Sequence, residues 1–186
     1  MNVLVIDNYD SFVYNIVQAI GKLGHDVTLR ENDDLNDVDP NEYARIIISP
    51  GPGNPTNPHD RGDVLEFLSK SVNAKVLGIC FGHQLLAHHL GGEIKLGRVI
   101  RHGEIDLIRH FGGSMYRNIP EKFSAVRYHS LVVDAVPGAV IDSVSITDGQ
   151  IMGFHSTDGK YYGIQFHPES YYTEYGERLI SNFLEA

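Results

Sequence analysis

Short hydrophobic runs alternate with helical stripes along the first half of the chain. The continuous apolar run Val3–Ile6 is typical of a strand covered on both faces, and three further segments look like buried strands: Val27–Leu29, Ile46–Ile48 and Val76–Ile79. Three stripes with helical spacing lie between or after them: Phe12, Val13, Ile16, Val17, Ile20 and Leu23; Val64, Leu65, Leu68 and Val72; and Leu85, Leu86, His89 and Leu90. Gly24 and Gly91-Gly92 follow the first and third stripes, where a glycine commonly ends a helix. The alternation predicts parallel strands joined by helical crossovers.

The second half of the chain has a different pattern. Thr147–Gln150 and Thr157–Lys160 each place Asp-Gly between strand-like runs, and Asp-Gly suits a tight hairpin turn. This half is therefore expected to add antiparallel strands to the sheet edge or to form a small second sheet. Apolar positions from Tyr175 to Leu184 predict a closing amphipathic helix. With no repeat or dividing linker, the prediction is one α/β domain over residues 1–186, with a flavodoxin-like, open, mostly parallel sheet flanked by helices.

Composition narrows the class of protein. The 186 residues carry a formal charge of −9, which disfavours nucleic-acid binding. No apolar run approaches the roughly 18 residues of a membrane span, and the N-terminus lacks the basic start of a signal peptide. The single cysteine, Cys80, excludes an intrachain disulfide and fits a reducing compartment. These features predict a cytoplasmic protein without nucleic-acid or membrane partners.

The lone cysteine lies in a distinctive segment, Gly78-Ile79-Cys80-Phe81-Gly82. A predicted strand (Lys75–Ile79) precedes it and a predicted helix (Gly82–Leu90) follows, which is the setting of a nucleophile elbow. The glycines leave room for a sharp turn, and the helix N-terminus favours a thiolate. The N–H of Phe81 can face a developing oxyanion. The alternative is a buried structural cysteine followed by helix-capping glycines.

A base for this nucleophile is predicted at His167, directly after the apolar run Tyr162–Phe166. Pro168 favours an extended conformation for His167. In extended chain, residues two apart point the same way with Cα atoms about 6.6 Å apart, so Glu169 can orient the imidazole. The alternative is a surface His and Glu around a turn proline.

The Pro/Gly-rich stretch Ser49–Asp60 is predicted to be a loop, because its four prolines and two glycines exclude regular structure. A loop of this length within a domain is usually functional. No metal site is predicted, because His83, His88 and His89 lack the accompanying ligands that zinc usually requires.

The combined motifs resemble a known family. GICFGHQ (78–84) and GIQFHPES (163–170) resemble the class I, or triad, glutamine amidotransferases. Further segments look like the glutaminase component II of anthranilate synthases: DNYDSF (7–12), SPGPGNP (49–55), RYHSL (127–131) and NFL (182–184). The glutaminase subunit of aminodeoxychorismate synthase is similar in nearly the same segments, and that of GMP synthetase is a further alternative. A stand-alone Cys-His hydrolase remains a rival outside this group. An FMN-binding module is disfavoured, because the acids of the first loop would repel phosphate.

The resemblance implies a role for each matching residue. Cys80 would attack the side-chain amide of glutamine, His167 would transfer protons and Glu169 would orient His167. The resemblance also implies that Gly53 and Phe81 supply the backbone amides of an oxyanion hole. The full set of implied glutamine-binding residues is Gly51, Pro52, Gly53, Phe81, Gln84, Ser130 and Leu131.

The resemblance further implies a hetero-oligomer with a chorismate-aminating synthase subunit, to which this chain would deliver ammonia. Residues expected near that partner are Asn8, Tyr9, Asp10, Ser11, Tyr172 and Thr173. No cofactor is expected here, with Mg²⁺ confined to the synthase subunit. Phe81 and Glu104 depart from the family pattern, where Leu and Lys are common.

Overall fold

A mixed sheet with helices on both faces forms the molecule, and the computed structural model describes residues 1–70 and 73–186. The strands are β1 (Asn2–Asp7), β2 (Asp26–Glu31), β3 (Arg45–Ile48), β4 (Lys75–Ile79), β5 (Glu93–His110), β6 (Lys122–Ala135), β7 (Ala139–Ser145), β8 (Ile151–Ser156) and β9 (Tyr161–Ile164). The α-helices are α1 (Val13–Lys22), α2 (Pro58–Arg61), α3 (Val64–Lys70), α4 (Phe81–His89) and α5 (Gly176–Glu185). Short 3₁₀ helices cover Pro40–Glu42 and Ser114–Tyr116. Within the described ranges, nine strands form one sheet in the order β2-β1-β3-β4-β9-β8-β7-β5-β6.

The parallel half of the sheet comprises β2, β1, β3, β4 and β9. Side chains alternate between two cores: Val3 packs on the side of α1 and α5, whereas Leu4 packs on the side of α3 and α4. Both faces of β1, β3 and β4 are covered, so their central residues are apolar, whereas the edge strand β2 also carries polar and charged residues. The predicted α/β class and its parallel strands are confirmed.

The antiparallel half continues the same sheet through β8, β7, β5 and β6. Of the two sequence alternatives, addition to the sheet edge is therefore correct. Gly149 and Gly159 adopt positive φ angles of 70° and 69° in the two predicted turns. The long β5–β6 hairpin was not predicted, because its bulged strands lack a regular alternation of apolar and polar residues.

The helices lie where the predicted stripes place them, and the one correction concerns the predicted Pro/Gly-rich loop. Gly24, with φ of 81°, follows α1 as expected. Val72, the last position of the second stripe, lies outside the described residues. The loop predicted over Ser49–Asp60 is not wholly irregular, because α2 begins within it at Pro58. Asn57 caps this helix, and proline is tolerated at the first helical position. No helix among the described residues is long and apolar enough to cross a membrane.

Candidate active site

Cys80 lies on a strained turn between β4 and α4. Its φ and ψ angles are 51° and −99°, in a region that side chains other than glycine rarely adopt. A Cβ on Gly78 would collide with the backbone of Gly82, and a Cβ on Gly82 would collide with the carbonyl of Ile48. The flanking glycines are thus required by close backbone contacts. The turn leaves the Cys80 side chain at the junction of two cavities, although only 5% of the residue is exposed.

His167 and Glu169 form a buried pair beside this cysteine. Their Nδ1 and Oε1 atoms are 2.6 Å apart. Although burial alone would lower the pKa of His167, interactions with Cys80 and Glu169 raise it well above its ordinary value. Nε2, the other ring nitrogen, has no full hydrogen bond within the described part of the chain. The arrangement stabilises a protonated imidazole whose free nitrogen can serve a reacting group.

A glutamine side chain that was not predicted also contacts Cys80. Gln165 is fully buried, and its Nε2 lies 3.6 Å from Cys80 Sγ. Its Oε1 accepts a hydrogen bond of 3.1 Å from Gln84. The sulfur also lies 3.6 Å from the carbonyl oxygen of Tyr128, which can accept from the neutral thiol. Gln165 precedes His167 by two residues, so the alternation that related His167 to Glu169 could have indicated it.

The smaller cavity at Cys80 has a volume of about 180 Å³. It is lined by all the residues predicted to bind glutamine, together with Cys80, Tyr128 and His129: Gly51, Pro52, Gly53, Phe81, Gln84, Ser130 and Leu131. Gly53 has a φ of 94°, and a Cβ there would lie 2.5 Å from the Asp60 carboxyl group. The structure thus brings together segments that are distant in sequence, while their roles remain a prediction.

The larger cavity has a volume of about 410 Å³ and shares Gly51, Cys80 and Tyr128 with the smaller one. His167, Glu169 and Asp10 also line it. Burial, followed by the nearby Glu169 charge, raises the pKa of Asp10 to about 6. Cys80 is therefore reached from two cavities, and the larger one combines ionisable side chains with aromatic ones.

Exposed aromatic side chains border the larger cavity, and we call Phe12, Tyr171 and Tyr172 the aromatic rim. Tyr9 is also exposed but does not line this cavity, and its hydroxyl donates to Asp33 at 2.7 Å. The exposed fractions of Tyr171 and Tyr172 are 94% and 67%. Large exposed aromatic side chains grouped at a cavity mouth are typical of a contact surface.

The side chains of two residues predicted near a partner are buried and do not face solvent. Asn8 is buried and donates from Nδ2 to the carbonyl of Ser49 at 2.8 Å. Thr173 is buried and donates to the carbonyl of His167 at 2.6 Å. Asn8 and Thr173 are therefore removed from the expected docking surface, because both polar side chains are engaged within the chain. Ser11 is exposed and Asp10 is half-buried, so both stay candidates.

The positions that depart from the family pattern have different surroundings. Phe81 is 1% exposed and packs in the core on the side of α3 and α4. Glu104 is exposed and pairs with Arg101 at 2.5 Å. Arg101 also pairs with Asp148 at 3.0 Å. The acidic residue at position 104 is thus neutralised by a neighbour in the same strand.

The chain belongs to the class-I glutamine amidotransferase family, whose model matches residues 4–186. It is 42% identical to anthranilate synthase component 2 of Saccharolobus solfataricus, over 97% of this chain and 96% of that relative. It is 39% identical to anthranilate synthase component 2 of Methanothermobacter marburgensis, over 98% of this chain and 97% of that relative. A solved structure from Thermoplasma acidophilum, described as a candidate GMP synthase subunit, superposes with a TM-score of 0.88 at 24% identity, covering 100% of this chain and 92% of that one. The family and the fold predicted from the sequence are confirmed.

Proposed function

We propose that this chain is the glutamine-hydrolysing subunit of an anthranilate synthase and supplies ammonia to a chorismate-aminating partner. The observation that carries the proposal is the position of Cys80, on a positive-φ elbow beside the His167–Glu169 pair and between two cavities. The nearly full-length similarity to anthranilate synthase component 2 supports the choice of partner.

Glutamine would bind in the smaller cavity with its side-chain amide at Cys80. The sulfur attacks the amide carbon, and the carbonyl oxygen becomes an oxyanion. Phe81 begins α4, and N–H groups in the first helical turn lack intrahelical acceptors. The N–H groups of Phe81 and Gly53 are proposed to donate to that oxyanion. A hydrogen bond from Gln165 to the sulfur would favour the thiolate before attack.

The tetrahedral intermediate would collapse when His167 donates its proton to the amide nitrogen. The carbon–nitrogen bond breaks, ammonia leaves and a glutamyl thioester remains on Cys80. His167 then takes a proton from water, which attacks the thioester to release glutamate and restore the sulfur. Glu169 stabilises the imidazolium at each stage, since its carboxylate lies 2.6 Å from Nδ1.

Ammonia would leave through the larger cavity, which His167 lines. In neutral water, ammonia is largely protonated and is then no longer a nucleophile, so efficient transfer requires a closed path. A synthase subunit seated on the aromatic rim would cover the mouth of this cavity. We expect the hetero-oligomer to be cytoplasmic, where Cys80 stays reduced, and to hold Mg²⁺ only in the synthase subunit.

The test is reconstitution of Cys80→Ser with an anthranilate synthase component I. Glutamine-dependent formation of anthranilate should fall by on the order of 10³-fold or more, because the nucleophile is lost. Activity with ammonium salt should stay unchanged and serves as the internal control. Glutamine-dependent activity near the wild-type level would overturn the nucleophile. Glutamine-dependent formation of aminodeoxychorismate or GMP with the corresponding synthase, but not of anthranilate, would overturn the partner.

A further inference from the structure

Arg127 in β6 is a fully buried cation beside the smaller cavity. Its Nη1 atom is 2.5 Å from Asp106 and 2.9 Å from Asp148. Its Nη2 atom is 2.8 Å from the side-chain oxygen of Gln150. The remaining donor, Nε, is 3.0 Å from Nε2 of His129. The cation is thus paired and held in one orientation, as a buried guanidinium requires.

This contact determines the protonation state of His129. An arginine Nε–H can only donate, so Nε2 of His129 must be the acceptor without a proton. The ring proton then lies on Nδ1, which is 2.9 Å from the carbonyl oxygen of Leu131. Burial, followed by the charge of Arg127, lowers the pKa of His129 to about 4, in agreement with this neutral tautomer.

The carbonyl of Leu131 also receives a hydrogen bond from α4. Nε2 of Gln84 donates to it at 2.9 Å and to Oε1 of Gln165 at 3.1 Å. Both N–H groups of Gln84 are therefore used within the chain, and only its Oε1 acceptor can face a ligand. Gln165 in turn contacts Cys80, so the hydrogen bonds run from Arg127 to the nucleophile.

We propose that Arg127 and His129 are positioning residues for glutamine recognition, acting through the carbonyl of Leu131 and the amide of Gln84. Neither side chain needs to bond to the substrate. The pair holds the segment Ser130–Leu131 against α4, so that glutamine meets preformed backbone groups. The inference rests on the proposed function, because it takes glutamine as the ligand of the smaller cavity.

The network extends to the position where the chain departs from its family. Asp148 is shared by Arg127 and Arg101, and Arg101 also holds Glu104. Ion pairs therefore connect Glu104 on the exposed side of the hairpin with the residues behind the smaller cavity. Glu104 is the outermost member of this network.

Substitutions of His129 can separate its two hydrogen bonds. Asn places an N–H near the position of Nδ1 and keeps the bond to Leu131, but it cannot accept from Arg127. Gln places an acceptor near Nε2 and keeps the bond from Arg127, but it loses the short-range bond to Leu131. Leu removes both. The four chains to compare are wild type, His129→Asn, His129→Gln and His129→Leu.

The readout is alkylation of Cys80, the single cysteine, followed by mass spectrometry. The glutamine analogue 6-diazo-5-oxo-L-norleucine requires amino-acid recognition, whereas iodoacetamide reports only the reactivity of the sulfur. We expect the half-saturating concentration of the analogue to rise about tenfold in His129→Gln and His129→Leu, as for one lost hydrogen bond. The half-saturating concentration should stay near the wild-type value in His129→Asn, while the melting temperature of that variant falls. Iodoacetamide rates should not change.

Each other outcome overturns a defined claim. Equal response of all four chains to the analogue would remove the positioning role and leave the proposed function intact. A parallel loss with both reagents would show that His129 only supports the fold, which also overturns the positioning role. Saturable labelling of wild type by the analogue is required by the proposed function. If it is absent while iodoacetamide reacts, the proposed function fails, and the inference fails with it.

Discussion

The two cavities that meet at Cys80 contain histidines with opposite electrostatic properties. His129, at the smaller cavity, has its pKa lowered to about 4 by burial and by Arg127. His167, at the larger cavity, has its pKa raised by Cys80 and Glu169 in spite of burial. Similar burial thus gives a neutral ring beside a cation and a charged ring beside anions. The charge beside each ring decides whether a buried imidazole stays neutral or becomes protonated.

The same contrast extends to the walls of the cavities. In the smaller cavity, Gln84 and His129 are already hydrogen-bonded within the chain before a ligand binds. In the larger cavity, Oδ2 of Asp10, Nε2 of His167 and Oε2 of Glu169 lack a full hydrogen bond among the described residues. The polar side chains of the smaller cavity are therefore held in place before a ligand binds, whereas those of the larger cavity keep unused hydrogen-bonding groups.

The largest effect is expected for Glu169→Gln, which removes a charge from the larger cavity without changing its shape. Glutamine hydrolysis should fall by on the order of 10³-fold, because the imidazolium of His167 loses its counter-ion. Ammonia release measures the rate. Glu177→Gln removes an exposed acid from α5 and should leave the rate unchanged. A loss of less than tenfold in Glu169→Gln would contradict the role of this carboxylate.

Gly78→Ala should be the most damaging change to the elbow that both cavities share. Because the added Cβ would overlap the backbone of Gly82, unfolding free energy should fall by about 3 kcal/mol or more. Urea denaturation measures it. In Gly21→Ala, the Cβ meets no atom within 4 Å, and the helix should gain about 0.5–1 kcal/mol. Equal stability of the two variants would show that the elbow can relax.

Lowering the pH should reduce the unfolding free energy of the chain through protonation of His129. The pKa is about 4 in the folded chain against an ordinary value of 6.5, so the unfolded chain binds the proton first as pH falls. The stabilisation is present above pH 6.5 and is lost as the pH falls from 6.5 to 4. The loss amounts to about 2 kcal/mol by pH 5. Asp10 acts in the opposite direction, because its folded pKa is raised to about 6.

A comparison of wild type with His129→Asn isolates the contribution of this group. Unfolding free energies at pH 7 and pH 5 should converge on acidification, because the variant lacks the titrating ring. A constant difference between the two chains at both values would refute the neutral state of His129.

The smallest effect is expected at the aromatic rim. Tyr171→Ala should change the stability of the isolated chain by less than about 0.5 kcal/mol, because the residue is 94% exposed. Affinity for the synthase subunit should fall about tenfold, as for a contributing interface tyrosine. Tyr14→Ala is the matched control, since Tyr14 is 63% exposed and does not line the larger cavity. Equal affinity losses in both variants, or none, would remove the rim from the interface.

Features that depend on neighbouring residues could be predicted from the amino-acid sequence. The elbow at Cys80 was predictable because glycines at both sides permit a turn that no other residue type allows. The parallel strands were predictable because short apolar segments of this kind are typical of strands covered on both faces. The His167–Glu169 pair followed from the spacing of extended chain beside Pro168.

Contacts between distant groups became visible only in the assembled fold. Gln165 and Cys80 are separated by 85 positions along the chain. The alternation of extended chain places Gln165 on the side of His167, but only the folded sheet shows that its side chain touches the sulfur. The proton on His129 is placed by Arg127, whose own orientation depends on acids from β5 and the β7–β8 turn. Asn8 looked exposed in a polar segment but is buried against Ser49. Steric constraints between neighbouring residues can be predicted from short segments of sequence. The burial of side chains and their pairing with distant residues are decided only when the sheet assembles.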